Sequence, residues 1–226
     1  FDFAEAVETP PPETVETMRT GRVSRPFSDP GWLFEMRFEG RRLLGFKKGD
    51  AVRLIDADGE ELTSLLPEIT DGLGRARAEN VVVDGVLVAL DDSLRPSAER
   101  LDRRLAGETG DAATFYAFDL LYYEEWDIRS LPLTERKTVL ASVLPRPDHV
   151  LFVDHVQGRG EDLVEATSEA GLPGVVAKEA SSKYVSGPSP AWREIPSRGS
   201  EDLDGRNVLE ALSSAASPSM RKGLKL

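Results

Sequence analysis

Apolar and polar positions alternate first with the period of a strand and then with that of a helix. Trp32–Arg37, Arg41–Lys47 and Ala51–Asp56 read as strands, separated by the Glu39-Gly40 and Lys48-Gly49-Asp50 turns, and together they suggest an antiparallel meander. Leu65–Ala78 spaces its Leu, Ile and Ala residues as a helix does, and Val81–Leu90 is a nearly continuous apolar run broken by Gly85, the pattern of a buried strand. A helical Pro96–Leu105 leads to a strand over Thr114–Tyr122. Thr134 is the expected N-cap of a helix that runs to about Leu144, where Pro145 and Pro147 stop it. Leu151–Val156 then reads as a strand, Gly160–Ala170 as a helix ending at Gly171, and Val175–Lys178 as a short strand.

The ends differ from this body. Pro10–Pro12, Pro26 and Pro30 predict a mostly extended arm, with room for a short helix over Glu13–Thr20 and ordered structure from about Gly31. From Ser197 the composition shifts to Ser, Gly, Asp and Ala, with one weak amphipathic turn at Val208–Leu212, which predicts a largely disordered tail. The expected division is therefore a Pro-rich arm over 1–23, a folded domain over 24–197 and a tail over 198–226.

Composition narrows the chemistry. With 226 residues, 40% hydrophobic and 30% charged, the chain can bury one substantial core. The absence of cysteine removes disulfides and thiolate metal sites, and His149 and His155 are the only imidazoles, which argues against a zinc enzyme. No apolar run approaches the roughly 18 residues of a membrane span. The first residues carry acids and prolines where a signal peptide has bases and leucines, so a cytoplasmic location is expected. A net charge of −12 opposes broad contact with DNA. Arg37, Arg41, Arg42, Lys47 and Lys48 form the densest candidate for a local basic face, and solvated strand and turn positions account for them equally well.

Six segments, in order, carry a family likeness: WLFEMRFEGRR, VRLIDADGEELTSLLPEI, VVVDGVLVAL, FYAFDLLYYEEWDIRSLPLTERK, GLPGVVAKEASSKY and AWREIP. Their succession across roughly residues 24–197 resembles the adenylation domain of ATP-dependent DNA ligases, most of all that of bacterial non-homologous end-joining ligases. The resemblance implies an α+β, ligase-type nucleotidyltransferase (ATP-grasp-like) fold, with antiparallel sheets flanked by helices. Family members continue into an OB-fold domain, but only about thirty residues follow Trp192 and they do not read as strands, so no OB-fold domain is expected here.

In that family the first block, Lys-x-Asp-Gly-x-Arg, supplies a lysine that attacks the α-phosphate of ATP. Here the block is Arg37-Phe38-Glu39-Gly40-Arg41-Arg42. A nucleophilic nitrogen needs a free lone pair, which a lysine of pKa about 10.4 can be induced to expose. An arginine, protonated to above about pH 12 and delocalised, binds phosphate and does not attack it. Other blocks depart in the same direction. The family's Ser-Arg-Asn-Gly is Asp56-Ala57-Asp58-Gly59, its Asp-Gly-Glu is Asp84-Gly85-Val86, and the glutamate expected to support magnesium is replaced in Pro173-Gly174-Val175-Val176-Ala177-Lys178. The closing Trp-x-Lys-x-Lys is Trp192-Arg193-Glu194-Ile195-Pro196, with Arg193 expected on the opposite strand face.

Glu35 stands where the family reads the adenine edge, Phe118 where it stacks the base, and Arg42, Lys178 and Trp192 also match. With Arg37 and Glu39 they make up the expected degenerate nucleotide pocket; Phe118 and Trp192 read first as core aromatics, retained for the packing energy of large buried rings. An ion pair of Lys178 with Glu35 or Glu39, and of Arg37 with Glu39 or Glu194, would satisfy these charges without a ligand. The implied function is a ligase homologue without ligase activity that acts by binding or scaffolding, with DNA or a DNA-repair protein as partner and with no cofactor. Two alternatives remain open: residual ATP- and magnesium-dependent adenylation through another lysine such as Lys47 or Lys48, and weak reversible binding of an adenine nucleotide.

Overall fold

The computed structural model describes residues 3–108, 110–144 and 149–197. The amphipathic turn expected at Val208–Leu212 and the helix-stopping Pro145 and Pro147 lie outside these. Within them the strands are β1 (Val7–Glu8), β2 (Met18–Val23), β3 (Trp32–Met36), β4 (Arg41–Lys48), β5 (Ala51–Asp56), β6 (Asn80–Ala89), β7 (Ala113–Tyr123), β8 (Trp126–Asp127), β9 (Val150–Phe152), β10 (Val156–Gln157), β11 (Gly174–Glu179) and β12 (Gly187–Pro196). The helices are α1 (Pro67–Gly74), α2 (Ala98–Leu105), α3 (Leu133–Val143) and α4 (Gly160–Glu169).

Two sheets divide the strands. The first runs β1-β8-β7-β6-β4-β5, with β9 alongside β7, and the second runs β10-β3-β11-β12-β2. All pairings are antiparallel except β7 with β9 and β12 with β2. The apolar clusters show the layering. Leu66, Ile69 and Leu73 from the α1 region and Leu133, Val139, Leu140 and Val143 from α3 pack on one face of the first sheet. Leu44, Phe46, Val82 and Leu121 of its other face meet Met18 and Trp192 of the second sheet. Leu163 and Val164 of α4 close the far side against Phe34 and Val175. The inter-sheet layer holds Trp192 and, packed against it, Phe118.

The expected meander is only half right. β4 and β5 form a hairpin whose two-residue loop begins at Gly49 with φ 57°, as the favoured hairpin turns require. The link from β3 to β4 is instead a crossing between sheets. Arg37 N donates to Gly174 O at 2.9 Å, prolonging the β3–β11 pairing, and Phe38 then stacks on Tyr116 with ring centroids 4.1 Å apart. At Gly40 the chain passes so close to β6 that a Cβ would lie 2.1 Å from Leu87 O. β6 behaves as its apolar run predicts and lies between β4 and β7. Gly85 does not break it; a side chain there would meet Tyr116 O at 2.4 Å and the Phe115 ring at 2.5 Å.

Other boundaries move for identifiable reasons. The arm is not merely extended, and no helix forms over Glu13–Thr20: Met18 is fully buried and begins β2, so ordered structure starts well before Gly31. The Leu65–Ala78 helix is replaced by a 3-10 turn at Thr63–Leu65 and the shorter α1, because Pro67 has no N–H to continue the preceding turn. Ser97 caps α2, accepting from Arg100 N at 3.3 Å. α3 starts one residue before the expected N-cap, and Thr134 N donates to Ala180 O at 3.2 Å instead. Leu151–Val156 is split into β9 and β10, which pair in different sheets. Among the described residues no helix is long and apolar enough to cross a membrane.

Candidate functional site

Strand alternation places three side chains from the second sheet on one face. Val176 pairs with Glu35, and two residues along β11 Lys178 pairs with Trp192, so Glu35, Lys178 and Trp192 project to the same side. The first sheet supplies Arg42 from β4, Asp84 from β6 and Phe118 from β7. Between them sits Lys178 Nζ, 2.6 Å from Glu35 Oε2, 3.9 Å from the centre of the Phe118 ring and 4.3 Å from that of Trp192. The Arg42 guanidinium lies 4.6 Å from the Phe118 ring. Five of the seven expected residues therefore share one buried pocket, and of the two partners open to Lys178 it takes Glu35.

Arg37 and Glu39 lie apart from this pocket. The Arg37 guanidinium is one-third exposed, 3.9 Å from Glu39 and 3.8 Å from Glu194, so both expected partners hold it. Glu194 Oε1 also accepts from Thr20 Oγ1 at 3.0 Å, which anchors the acid to β2. Arg193 turns to the other face, as expected, and covers the Trp32 ring at 4.3 Å.

The expected basic face is dispersed by pairing. Arg41 Nε donates to Asp56 at 2.7 Å and its Nη2 lies 2.6 Å from Glu60. Arg42 makes two 2.6 Å hydrogen bonds to Asp84. Lys47 is buried and donates to Ala76 O at 2.8 Å and Ala78 O at 2.6 Å, holding the chain that leaves α1. Of the five, only Lys48 is exposed.

Three residues at this centre were not singled out from the sequence. Lys137 Nζ donates to Glu35 Oε1 at 2.6 Å, to Val153 O at 2.8 Å and to Phe118 O at 3.3 Å. Its neighbour Arg136 makes two 2.8 Å bonds to Asp119 and donates to Leu131 O and Ser182 O, with both side chains of the pair fully buried. Tyr184 Oη donates to Asp84 Oδ2 at 2.6 Å and accepts from Met18 N. A signal was available: Leu133, Arg136, Lys137 and Leu140 fall at the spacing of a single buried helix stripe, so both cations were on the core side.

Burial alone would push the Glu35 carboxyl up, but the Lys137 and Lys178 ammonium groups hold it below the ordinary carboxylate range. Burial brings the Lys178 ammonium down to about 8, against the pull of Glu35. Burial, reinforced by Lys137, also lowers His155. Lys178 Nζ is at ion-pair distance from Glu35 but off the hydrogen-bond direction. With Trp192 Nε1, it is a buried donor that finds no acceptor among the described residues.

Two packed sheets flanked by helices, with a carboxylate, two lysines and an aromatic pair between them, make a ligase-type nucleotidyltransferase domain. The chain belongs to the ATP dependent DNA ligase domain family, whose model matches residues 13–193. Among its relatives, the SPbeta prophage-derived DNA ligase-like protein LigB of Bacillus subtilis is 29% identical over 171 residues, covering 75% of this chain and 62% of that protein. The multifunctional non-homologous end joining protein LigD of Pseudomonas aeruginosa is 29% identical over 190 residues, covering 83% of this chain and 22% of its own length. The solved ligase domain of M. tuberculosis LigD superposes with a TM-score of 0.67 at 25% identity, over 80% of this chain and 58% of that one. A mycobacterial DNA ligase D complexed with ATP and MES gives 0.65 at 26% identity, over 80% of this chain and 60% of that one. This chain thus spans less than two thirds of each of these relatives.

Proposed function

We propose that this domain is a ligase-family adenylation fold that does not transfer adenylate and acts by binding, in a role linked to DNA repair. The reading is supported by Arg37, which the resemblance sets where the family has its nucleophilic lysine and whose guanidinium lies 3.9 Å from Glu39 and 3.8 Å from Glu194. A group with no available lone pair cannot attack an α-phosphate. The machinery around it offers no substitute. Positions 57, 86 and 173 carry Ala, Val and Pro, and Glu194 and Pro196 stand in place of two lysines. The residues also do not fit magnesium, a cation that takes oxygen ligands: Val86 and Pro173 offer none, and Glu39 and Glu194 each lie within 4 Å of the Arg37 cation. Lys47 is too committed to the carbonyls beyond α1 to serve as a replacement nucleophile. DNA or a DNA-repair protein is the partner class that family membership supports.

A second reading is favoured by two buried donors at this centre. Lys178 Nζ and Trp192 Nε1 sit beside Glu35 and the Phe118 ring, a setting that suits reversible, weak binding of an adenine nucleoside or monophosphate. A triphosphate would find few cations. Incubation with ATP and magnesium followed by intact-mass measurement tests the main reading. The unmodified mass is expected, and gain of one adenylyl group would overturn it.

A further inference from the structure

β9 and β10 belong to different sheets, and Val153, Asp154 and His155 join them. The first residue of this short crossover is held firmly. Val153 N donates to Ala117 O of β7 at 2.8 Å, and Val153 O accepts from Lys137 Nζ at 2.8 Å. The last residue precedes Val156, which pairs with Phe34, so His155 comes level with Glu35 on the neighbouring strand. Its imidazole is poorly matched to this place. Nδ1 is buried and finds no hydrogen-bond partner among the described residues; it lies 3.7 Å from Asp154 Oδ1, which already accepts from His155 N at 2.8 Å. The side chain as a whole is 28% exposed, so a proton can reach it.

We propose that His155 makes this crossover an acid-sensitive latch between the two sheets: once protonated, it sets a third cation beside Lys137 and Lys178, which already share Glu35, and the 153–155 segment lets go. The groups that face the ring come from three packed elements and from its own segment. Burial, the largest influence, opposes protonation, as do Lys137 of α3 and Lys178 of β11; Glu35 of β3 and Asp154 of the crossover favour it. The balance holds the imidazole below its ordinary range. Such a group takes up its proton more readily when the segment opens. The latch therefore keeps full strength above the unfolded imidazole pKa of about 6.5, and loses it as pH falls from there through the lower folded value. Within that window the opening equilibrium should grow by up to about tenfold per pH unit.

The test is hydrogen exchange of the Val153 amide in the full chain at about pH 7.5 and about pH 5, read as protection relative to the intrinsic rate at each pH. It is paired with proton NMR titration of the imidazoles. The chain has two, so the resonance lost in His155→Gln identifies its own. In the wild type, Val153 protection should fall by about tenfold or more on acidification, while that of the amides of β6, at the centre of the first sheet, changes by less than about threefold. In His155→Gln the Val153 protection should stay within about threefold over the same range. Asp154→Asn keeps an acceptor for His155 N but removes the favouring charge. It should lower the His155 titration further and move the loss of protection to lower pH, and it serves if His155→Gln does not fold. An imidazole at position 155 that titrates at or above about 6.5, or an equal acid loss of protection in His155→Gln, overturns the proposal.

Discussion

Glu35→Leu should destabilise the domain by on the order of 3–5 kcal/mol, the cost of removing one partner from a buried ion pair. The reason is arithmetic of charge in a dry place. Glu35 is the carboxylate that ion-pairs with both Lys137 and Lys178, whose side chains are only 1% and 2% exposed. Leucine would leave two ammonium groups facing each other with no counter-charge and little water. Against a typical total of about 5–15 kcal/mol, that loss is large and readily measured by urea unfolding. Adding Lys137→Met and Lys178→Met to the same chain should recover most of it, because apolar replacement of a whole buried ionic group is often neutral. A cost below about 1 kcal/mol for Glu35→Leu would mean that the three groups do not form the compact network described.

Arg136→Met should be comparably severe, at about 3–5 kcal/mol. It strips Asp119 of its bidentate partner where neither side chain touches solvent, and it deprives Leu131 O and Ser182 O of their donor. Arg104→Met provides the matched control. Arg104 also grips a carboxylate, Glu68, but with 14% and 16% of the two side chains exposed, and its loss should cost nearer 1 kcal/mol. Equal effects from the two substitutions would contradict the burial argument.

The sequence was most informative where local chemistry decides the outcome. The Gly49 hairpin, the Val81–Ala89 core strand and the opposite orientations of Trp192 and Arg193 all follow from turn requirements and period-two alternation. The partners of Arg37 were legible too, because Glu39 keeps an acid where the family's block has aspartate and Glu194 puts one where it has lysine. Tertiary partners were harder to read. Nothing within WLFEM states that β3 belongs with β11 rather than β4; that depends on the close passage at Gly40. MRTGRV lacks apolar alternation because β2 is an edge strand, paired among the described strands with β12 alone, and so it escaped notice. Arg136 and Lys137 were missed for the complementary reason. Charged side chains on a helix are ordinarily solvated, and only the carboxylates across the pocket, distant in sequence, make burial tolerable for these two. Five of the seven residues suggested by the resemblance therefore meet between the sheets, Arg37 and Glu39 lie apart from them, and the cations that pair with Glu35 and Asp119 came in part from a helix.

On the proposed reading, replacing Arg37 by lysine alone should not produce adenylation. A lysine at position 37 would still face Glu39 and Glu194, with Val86 and Pro173 where carboxylates would be needed and no cation at Ala57. Catalysis of phosphoryl transfer depends on several groups placed together around the phosphates, so a single restored amine supplies only one of them. The decisive measurement is the intact mass of Arg37→Lys after incubation with ATP and magnesium. An unmodified mass is predicted, whereas a covalent adenylyl adduct on the introduced lysine would show that only the nucleophile had been lost and would contradict the account of a stripped site.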